Sequence, residues 1–127
     1  MSDKKLSLVA SGIAKGVIVK SAQDTGGDQI EIKSLSDMQA AIAVRDGKAD
    51  YFIGSCSTGQ GGALSMARAV LGEDSCVLLS TGSGILDDST IREHALGNYR
   101  AFGISADHAA KTIPVLIRSL LEKHQNA

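Results

Sequence analysis

The chain has 127 residues, of which 43% are hydrophobic and 21% charged, and this balance predicts one globular domain spanning residues 1–127. With 13 Lys and Arg against 14 Asp and Glu, a net charge of −1 and no Trp, it has neither the basic balance nor the aromatic platform typical of nucleic-acid binding. No apolar run approaches the ~20 residues that span a bilayer and no signal peptide is evident, so we expect a cytoplasmic protein that binds no membrane.

Short apolar runs alternate with helical patterns along the chain, which predicts an α/β domain of five strands joined by helical crossovers. Residues 6–10 form the first predicted strand, Ser11-Gly12 a turn, and residues 13–22 a helix. After a turn at residues 24–27, polar and apolar residues alternate strictly over residues 29–33. This alternation indicates a strand with one solvated face, which is typical of a sheet edge.

The sequence pattern in the middle of the chain predicts two more helices, one before and one after a third strand. The first of these helices begins near Ser34 or Ser36, either of which can cap it, and ends at Gly47. The residues expected to face the sheet are Leu35, Met38, Ala41 and Ile42. Residues 51–55 form the third strand, and a helix with small sheet-facing residues continues to Gly72.

The last third of the chain predicts two strands, at residues 76–80 and 101–105, and two helices. The first helix is capped near Asp87. In the second, Pro114 lies either in the first turn or inside a helix that begins after Ser105. These elements predict a three-layer αβα Rossmann-like domain whose five-stranded parallel sheet has the order 2-1-3-4-5.

Ligands of such sheets bind beyond the carboxyl ends of the strands, at the switch between strands one and three. The loops that follow Ala10 and Gly54 meet there, and the second loop carries Cys56 and a glycine-rich turn before a helix. The N–H groups of a helix N-terminus favour anions and activate thiols, although glycines here could also serve only tight packing. The predicted anion- or ligand-binding residues are Ser11, Gly12, Ser57, Gly59, Gln60, Gly61 and Gly62.

From about residue 37 to residue 105, the order of the parts resembles the ribose-5-phosphate isomerase B and galactose-6-phosphate isomerase superfamily. The resemblance rests on a strand, Cys56-Ser57-Thr58-Gly59-Gln60-Gly61, a helix, a strand, and Arg92-Glu93-His94 before another strand. It implies that Cys56 moves a carbon-bound proton, that the turn binds an enediolate, and that His94 promotes ring opening, with Thr58 in the same catalytic set. The family's Asp-His pair after the first strand is replaced here by Ala10-Ser11, and its C-terminal arginine pair by Arg118 alone.

Nearly the whole chain resembles the bacterial YhfU-like family. The similarity lies in residues 49–59, Ala63-Leu64-Ser65, residues 101–108 and Ile113-Pro114. The members of that family have no assigned biochemical function, so the resemblance supports the fold and leaves the activity open.

The remaining reactive residues have ordinary structural alternatives. Cys76 opens an apolar strand and is expected in the core, and in a reducing compartment both cysteines are expected as thiols. His94 is either an acid/base group or a solvated residue, and His108 either binds a carbonyl or phosphate near the end of the fifth strand or has a surface or capping role. Arg92, Arg100 and Arg118 either pair with an anionic ligand or form ordinary surface ion pairs. The loop Thr81-Gly82-Ser83-Gly84 either encloses a ligand or only turns the chain. No metal or cofactor is implied.

Three functional classes remain open. The first is an isomerase-like enzyme that acts on a small phosphorylated or hydroxylated metabolite with Cys56 as base. The second is a non-catalytic ligand-binding or regulatory subunit, which the missing histidine and arginine pair favour. The third is a cysteine phosphocarrier, which ranks last because Cys56 follows the third strand and not the first. We expect a small anionic metabolite as the ligand and a homodimer in which a partner chain brings His94, His108 or an arginine to the Cys56 loop.

Overall fold

Five parallel strands form the central sheet of the computed structural model, which describes residues 5–56, 62–81 and 84–125. They are β1 (Leu6–Gly12), β2 (Ile30–Ser34), β3 (Tyr51–Cys56), β4 (Cys76–Leu78) and β7 (Ala101–Ser105). Two short strands outside this sheet are β5 (Ser80–Thr81) and β6 (Gly84–Ile85). The helices are α1 (Lys15–Gly26), α2 (Asp37–Arg45), α3 (Gly62–Leu71), α4 (Asp88–Leu96) and α5 (Ala109–Gln125). The short strands β5 and β6 pair with each other as an antiparallel hairpin.

The sheet has the order β2-β1-β3-β7-β4, and all of its neighbouring strands are parallel. The predicted α/β class is confirmed, as are the first three positions of the predicted order. The last two positions are exchanged, because β7 pairs with both β3 and β4. All five residues of β7 are buried, which suits a central strand, whereas β4 has only three residues and suits an edge.

An aliphatic core lies on each face of the sheet. Alternate strand residues point to opposite faces, so that Leu8 and Phe102 enter the core beneath α1, α4 and α5. Val9 and Phe52 enter the core beneath α2 and α3. A large residue such as Phe52 is fully buried, which is worth roughly 2–3 kcal/mol for each such side chain. The two covered faces explain why the strands read as short apolar runs.

Several predicted boundaries move because strand pairing and helix packing decide them. β1 continues through Ser11-Gly12, predicted as a turn, since both residues pair with β3. α1 runs to Gly26 and so takes in most of the turn predicted at residues 24–27. The strand predicted over residues 76–80 stops at Leu78, and the chain then enters the β5–β6 hairpin. α5 contains Pro114 in its interior, which confirms the second of the two alternatives for that residue.

Helix ends follow the sequence signals closely. Ser36 is the residue that caps α2, and its side chain accepts a hydrogen bond from the Gln39 N–H in a capping box. The Asp87 carboxylate caps α4 by accepting from the Thr90 N–H. The buried residues of α2 are Ala40, Ala41 and Val44, so the predicted sheet-facing position is confirmed for Ala41, and Leu35 is partly buried against the same core. Met38 lies in the first turn of α2 and is 51% exposed.

Candidate functional site

The carboxyl ends of β1, β3 and β7 meet at one edge of the sheet, hereafter the carboxyl edge. Ser11 of β1 is paired in register with Gly54 of β3, and Cys56 is paired with Ser105 of β7. Ser11 follows Val9 by two residues, and Cys56 follows Phe52 by four, so both side chains lie on the α2–α3 face. The predicted proximity of the ends of β1 and β3 is therefore confirmed, whereas the loop after β3 lies outside the described residues.

The Ser55 side chain, which lies on the other face of the sheet, connects the loop after β1 to β3 through hydrogen bonds. The Ala14 N–H donates to Ser55 Oγ at 2.9 Å, and Ser55 Oγ donates to the Ser11 carbonyl at 3.1 Å. The Ile13 N–H also donates to the Ser55 carbonyl at 3.3 Å. These bonds hold the start of α1 against the end of β3, which makes this part of the carboxyl edge a rigid platform.

Gly12 allows that close approach. Its φ of +95° is a backbone conformation that side-chain-bearing residues rarely adopt. A Cβ atom built at Gly12 would lie 1.8 Å from the Ser55 carbonyl oxygen, a distance that no small adjustment can relieve. Gly12 therefore has a structural role at the edge, whether or not it also contacts a ligand.

The Ser11 hydroxyl is one of the buried polar groups at this edge that have no hydrogen-bond partner among the described residues. Ser11 is 0% exposed, and its Oγ has no hydrogen-bond partner within the described parts of the chain. A buried hydroxyl without a partner costs about 1–3 kcal/mol. The Ser11 side chain lies on the same face of the sheet as that of Cys56.

The two cysteines lie in different environments. Cys56 ends β3 and is partly exposed, whereas Cys76 begins β4 and is buried in the α2–α3 core, as predicted. Burial raises the pKa of the Cys76 thiol, and the nearby Arg68 guanidinium offsets only part of that rise. The Cys76 Sγ donates to the Gly72 carbonyl at 3.5 Å. Neither cysteine forms a disulfide.

Most of the predicted glycine-rich turn lies outside the described residues. Its predicted site residues Ser57, Thr58, Gly59, Gln60 and Gly61 belong to that segment. On either side of them, β3 ends at Cys56 and α3 begins at Gly62, so the predicted strand before this segment and the predicted helix after it are confirmed. The positions of the turn's N–H groups stay a prediction.

His94 does not share the carboxyl edge with Cys56 in one chain. It lies in the last turn of α4, half-buried, with its ring edge-on to Tyr99 at 5.4 Å between centroids. α4 carries the chain back from the carboxyl edge to the start of β7, and six residues of helix advance it by about 9 Å. A direct contact of His94 with a ligand beside Cys56 would thus need a second chain.

His108 lies at this edge, and the sequence left two roles open for it, namely binding a carbonyl or phosphate group near the end of the last strand, or a surface or capping role. It ends the 3₁₀ turn Ala106–His108 that connects β7 to α5. Its Nδ1 atom is buried without a partner in the described structure, as is Oγ1 of Thr112 one helical turn further on. The sequence signal is that Asp107-His108 follows directly after an apolar strand, but nothing local indicates the unpaired nitrogen. Ser80 is a residue at this edge that the sequence analysis missed, and its Oγ accepts from the Ser105 N–H at 2.8 Å.

Arg92 and Arg100 make structural contacts away from the carboxyl edge, whereas Arg118 lines a surface groove. Arg92 forms an exposed ion pair with Glu122 at 2.5 Å, which confirms the expected surface pairing. Arg100 donates to the Val44 carbonyl at the end of α2. Arg118 lines a groove of about 420 Å³ between α4 and α5. No group of three metal-ligating side chains, and no helix long and apolar enough to cross a bilayer, occurs among the described residues.

Comparisons with known proteins agree with both resemblances seen in the sequence. A protein-family model described as a protein of unknown function, DUF2620, matches residues 6–120. Relatives from Escherichia coli strain K12 and Shigella flexneri, both described as uncharacterized protein YhfU, are 38% identical over 111 residues. Each alignment covers 87% of this chain and 94% of the relative.

The solved structures with a similar fold include three type B ribose 5-phosphate isomerases. The Trypanosoma brucei enzyme has a TM-score of 0.68 at 14% identity, over 96% of this chain and 97% of that one. The Thermotoga maritima enzyme has a TM-score of 0.64 at 16% identity, over 91% and 86%. The Giardia lamblia enzyme has a TM-score of 0.59 at 21% identity, over 94% and 93%. At these identities the similarity establishes the fold alone, and it is the family model and the YhfU relatives that show the chain to be a member of the DUF2620 family.

Proposed function

We propose that the protein binds a small anionic metabolite at the carboxyl edge and that Cys56 acts there as the base of an isomerase-like proton transfer. The observation that carries the proposal is the buried, unpaired hydroxyl of Ser11 on the same face as the Cys56 thiol. The rigid platform made by Ser55 and Gly12 supports it, because a binding site needs fixed walls.

The chemistry of the proposal is a proton transfer next to a carbonyl group. The Cys56 thiolate removes a carbon-bound proton, and the electron pair of that bond moves toward the carbonyl to form an enediolate. N–H groups of the turn at Ser57–Gly61, together with the Thr58 side chain, stabilise the oxyanion, and the Ser11 hydroxyl orients the ligand. The hydroxyl proton on the deprotonated carbon passes to the former carbonyl oxygen, and the thiol returns its proton to the former carbonyl carbon, so that the carbonyl and hydroxyl groups exchange places. The fold shared with type B ribose 5-phosphate isomerases makes a sugar phosphate the first ligand to test.

His94 enters this proposal only through a homodimer. Because α4 holds His94 away from Cys56 in one chain, an acid/base role for it requires a partner chain to bring it across. Light scattering over a concentration series is expected to give about twice the chain's 13.1 kDa. A monomer at high protein concentration would remove His94 from the mechanism.

A non-catalytic ligand-binding or regulatory subunit is the second candidate. The separation of His94 from Cys56 within one chain favours it, since binding needs the Ser11 hydroxyl and the turn but no acid/base partner. The two candidates differ in one measurable property. Only the enzyme exchanges a carbon-bound proton of its ligand with solvent.

The test combines thermal stabilisation with isotope exchange. Ribose 5-phosphate at about 100 times its Kd should stabilise the wild type by about 2.7 kcal/mol. Ser11→Ala should keep the stability of the unliganded protein, because it removes an unpaired hydroxyl, and lose most of this ligand effect. Deuterium from the solvent should enter the sugar with wild type and not with Cys56→Ser.

Each outcome separates the alternatives. Stabilisation without deuterium incorporation would support the binding subunit over the isomerase. No stabilisation by ribose 5-phosphate, other sugar phosphates or small carboxylates would overturn the proposed ligand site. Cys76→Ser is the control variant, since Cys76 lies in the core at the other end of its strand and should leave ligand binding unchanged.

A further inference from the structure

We propose that His108 and Thr112 form an oxyanion subsite at the start of α5, which binds the phosphate or carboxylate group of the ligand while Cys56 and Ser11 bind its reacting end. This inference rests on the proposed function for the existence of a ligand at the edge. To the proposed function it adds where the phosphate or carboxylate group of the ligand binds and which two residues bind it.

The first observation is a pair of buried polar atoms without partners. Nδ1 of His108 and Oγ1 of Thr112 make no hydrogen bond in the described structure, and Thr112 is 0% exposed. They are four residues apart at the beginning of a helix, so their side chains lie on the same side of it. A threonine in a helix normally can bond a carbonyl one turn back, and Thr112 does not do so. Both atoms can donate to an oxyanion.

The second observation is the helix to which these residues belong. α5 has 17 residues, and its N-terminal N–H groups and dipole favour negative charge at the place where His108 lies. α1 packs on α5 and begins at the same edge, and its cap residue Ala14 supplies no side-chain acceptor. The Asp107 carboxylate nearby is exposed, so water and salt screen its repulsion of an anion.

The third observation is the distance to Cys56. Cys56 and Ser105 are register partners on neighbouring strands, about 4.8 Å apart. The 3₁₀ turn from Ser105 to His108 adds about 6 Å, at roughly 2 Å per residue. The backbone of His108 therefore lies within about 11 Å of Cys56. This separation suits a short sugar phosphate, whose phosphate and reacting carbon lie a few bonds apart.

The test uses the fact that the chain has only three histidines. Their ring signals can be assigned by NMR from single His→Gln variants and followed while inorganic phosphate, and then ribose 5-phosphate, is added. We expect the His108 signals to shift with saturation in both titrations and those of His124 to remain in place. We also expect Thr112→Val to weaken phosphate binding about tenfold while leaving the unliganded protein at least as stable as wild type.

Thr25→Val is the matched control. The Thr25 hydroxyl donates to the Ser21 carbonyl at 2.9 Å, so its removal should lower stability and leave phosphate affinity unchanged. If ribose 5-phosphate stabilises the protein in a Ser11-dependent manner but the His108 signals do not move, the subsite is overturned and the proposed function stands. If Thr112→Val destabilises the protein as Thr25→Val does and keeps the phosphate affinity, Thr112 has only a structural role and the subsite is again overturned. If no phosphate compound binds, both proposals are overturned.

Discussion

Replacing Gly12 by Ala should damage the fold at the carboxyl edge far more than a glycine-to-alanine change normally does. The residue has a φ of +95°, and a side chain held in such a conformation costs about 1–3 kcal/mol. The new Cβ atom would meet the Ser55 carbonyl oxygen at 1.8 Å, so β1 and β3 must move apart there. That movement breaks the two hydrogen bonds of the Ser55 hydroxyl, worth about 1 kcal/mol each.

These contributions sum to about 3–5 kcal/mol, a large share of the 5–15 kcal/mol that stabilises a typical domain. For a domain of this size, the melting temperature should fall by roughly 10–20 °C. Circular dichroism during thermal unfolding measures the change directly.

Gly16 provides the matched control for Gly12→Ala. It lies in α1, four residues beyond Gly12, and a Cβ atom there meets nothing within 4 Å. Gly16→Ala should therefore raise the stability by up to about 1 kcal/mol through its helix propensity. A Gly12→Ala variant that melts within about 3 °C of wild type, or no differently from Gly16→Ala, would refute the reasoning from φ and the close contact.

Three further predictions concern thiols, packing and pH. At pH 8, iodoacetamide should alkylate Cys56 on the order of ten times faster than Cys76, because burial raises the pKa of the Cys76 thiol. Peptide mass spectrometry measures both alkylation rates, and equal rates would contradict the prediction. Gly103→Ala should cost about 1–3 kcal/mol in chemical denaturation, because its Cβ would lie 2.8 Å from Cδ2 of Leu64, and Leu64→Val should restore part of the loss if that contact is the cause. Hydrogen bonds lower the pKa of Asp87, so its carboxylate stabilises the fold above about pH 4 and that stabilisation is lost as the pH falls through the lowered pKa. When melting temperature is measured against pH, Asp87→Asn should show a smaller fall below about pH 4 than wild type. Parallel curves for the two proteins would contradict a stabilising role of the Asp87 carboxylate.

Local signals in the sequence predicted the elements better than their arrangement. The capping box at Ser36, the stop at Gly72 and the alternation that identifies β2 as an edge strand all act over a few residues, and all are present in the structure. The exchange of β4 and β7 is a choice between long-range pairings. The full burial of β7 was visible in its apolar sequence and could have favoured a central position.

Some features of the candidate site could likewise be predicted from the sequence, and others could not. The position of Ser11 beside β3 followed from topology, because the carboxyl ends of strands one and three must meet. The separation of His94 from Cys56 follows from topology too, since a crossover helix that starts at the carboxyl edge ends at the other edge. The unpaired Nδ1 of His108 could not be predicted, because it depends on how α5 packs against elements distant in sequence.

The distribution of unpaired polar atoms is the strongest argument that the carboxyl edge is functional. Within the described residues, the buried side-chain atoms without a hydrogen-bond partner are Ser11 Oγ, His108 Nδ1 and Thr112 Oγ1. They come from two segments far apart in sequence, the end of β1 and the start of α5, which the fold brings to one edge. Each costs about 1–3 kcal/mol unless something pairs with it, in a domain with only 5–15 kcal/mol of stability. Ser11 lies on the α2–α3 face with Cys56, whereas α5, which carries Thr112, packs on the other face, so a ligand that pairs with all three atoms must bind across the end of the sheet, as the two proposals require.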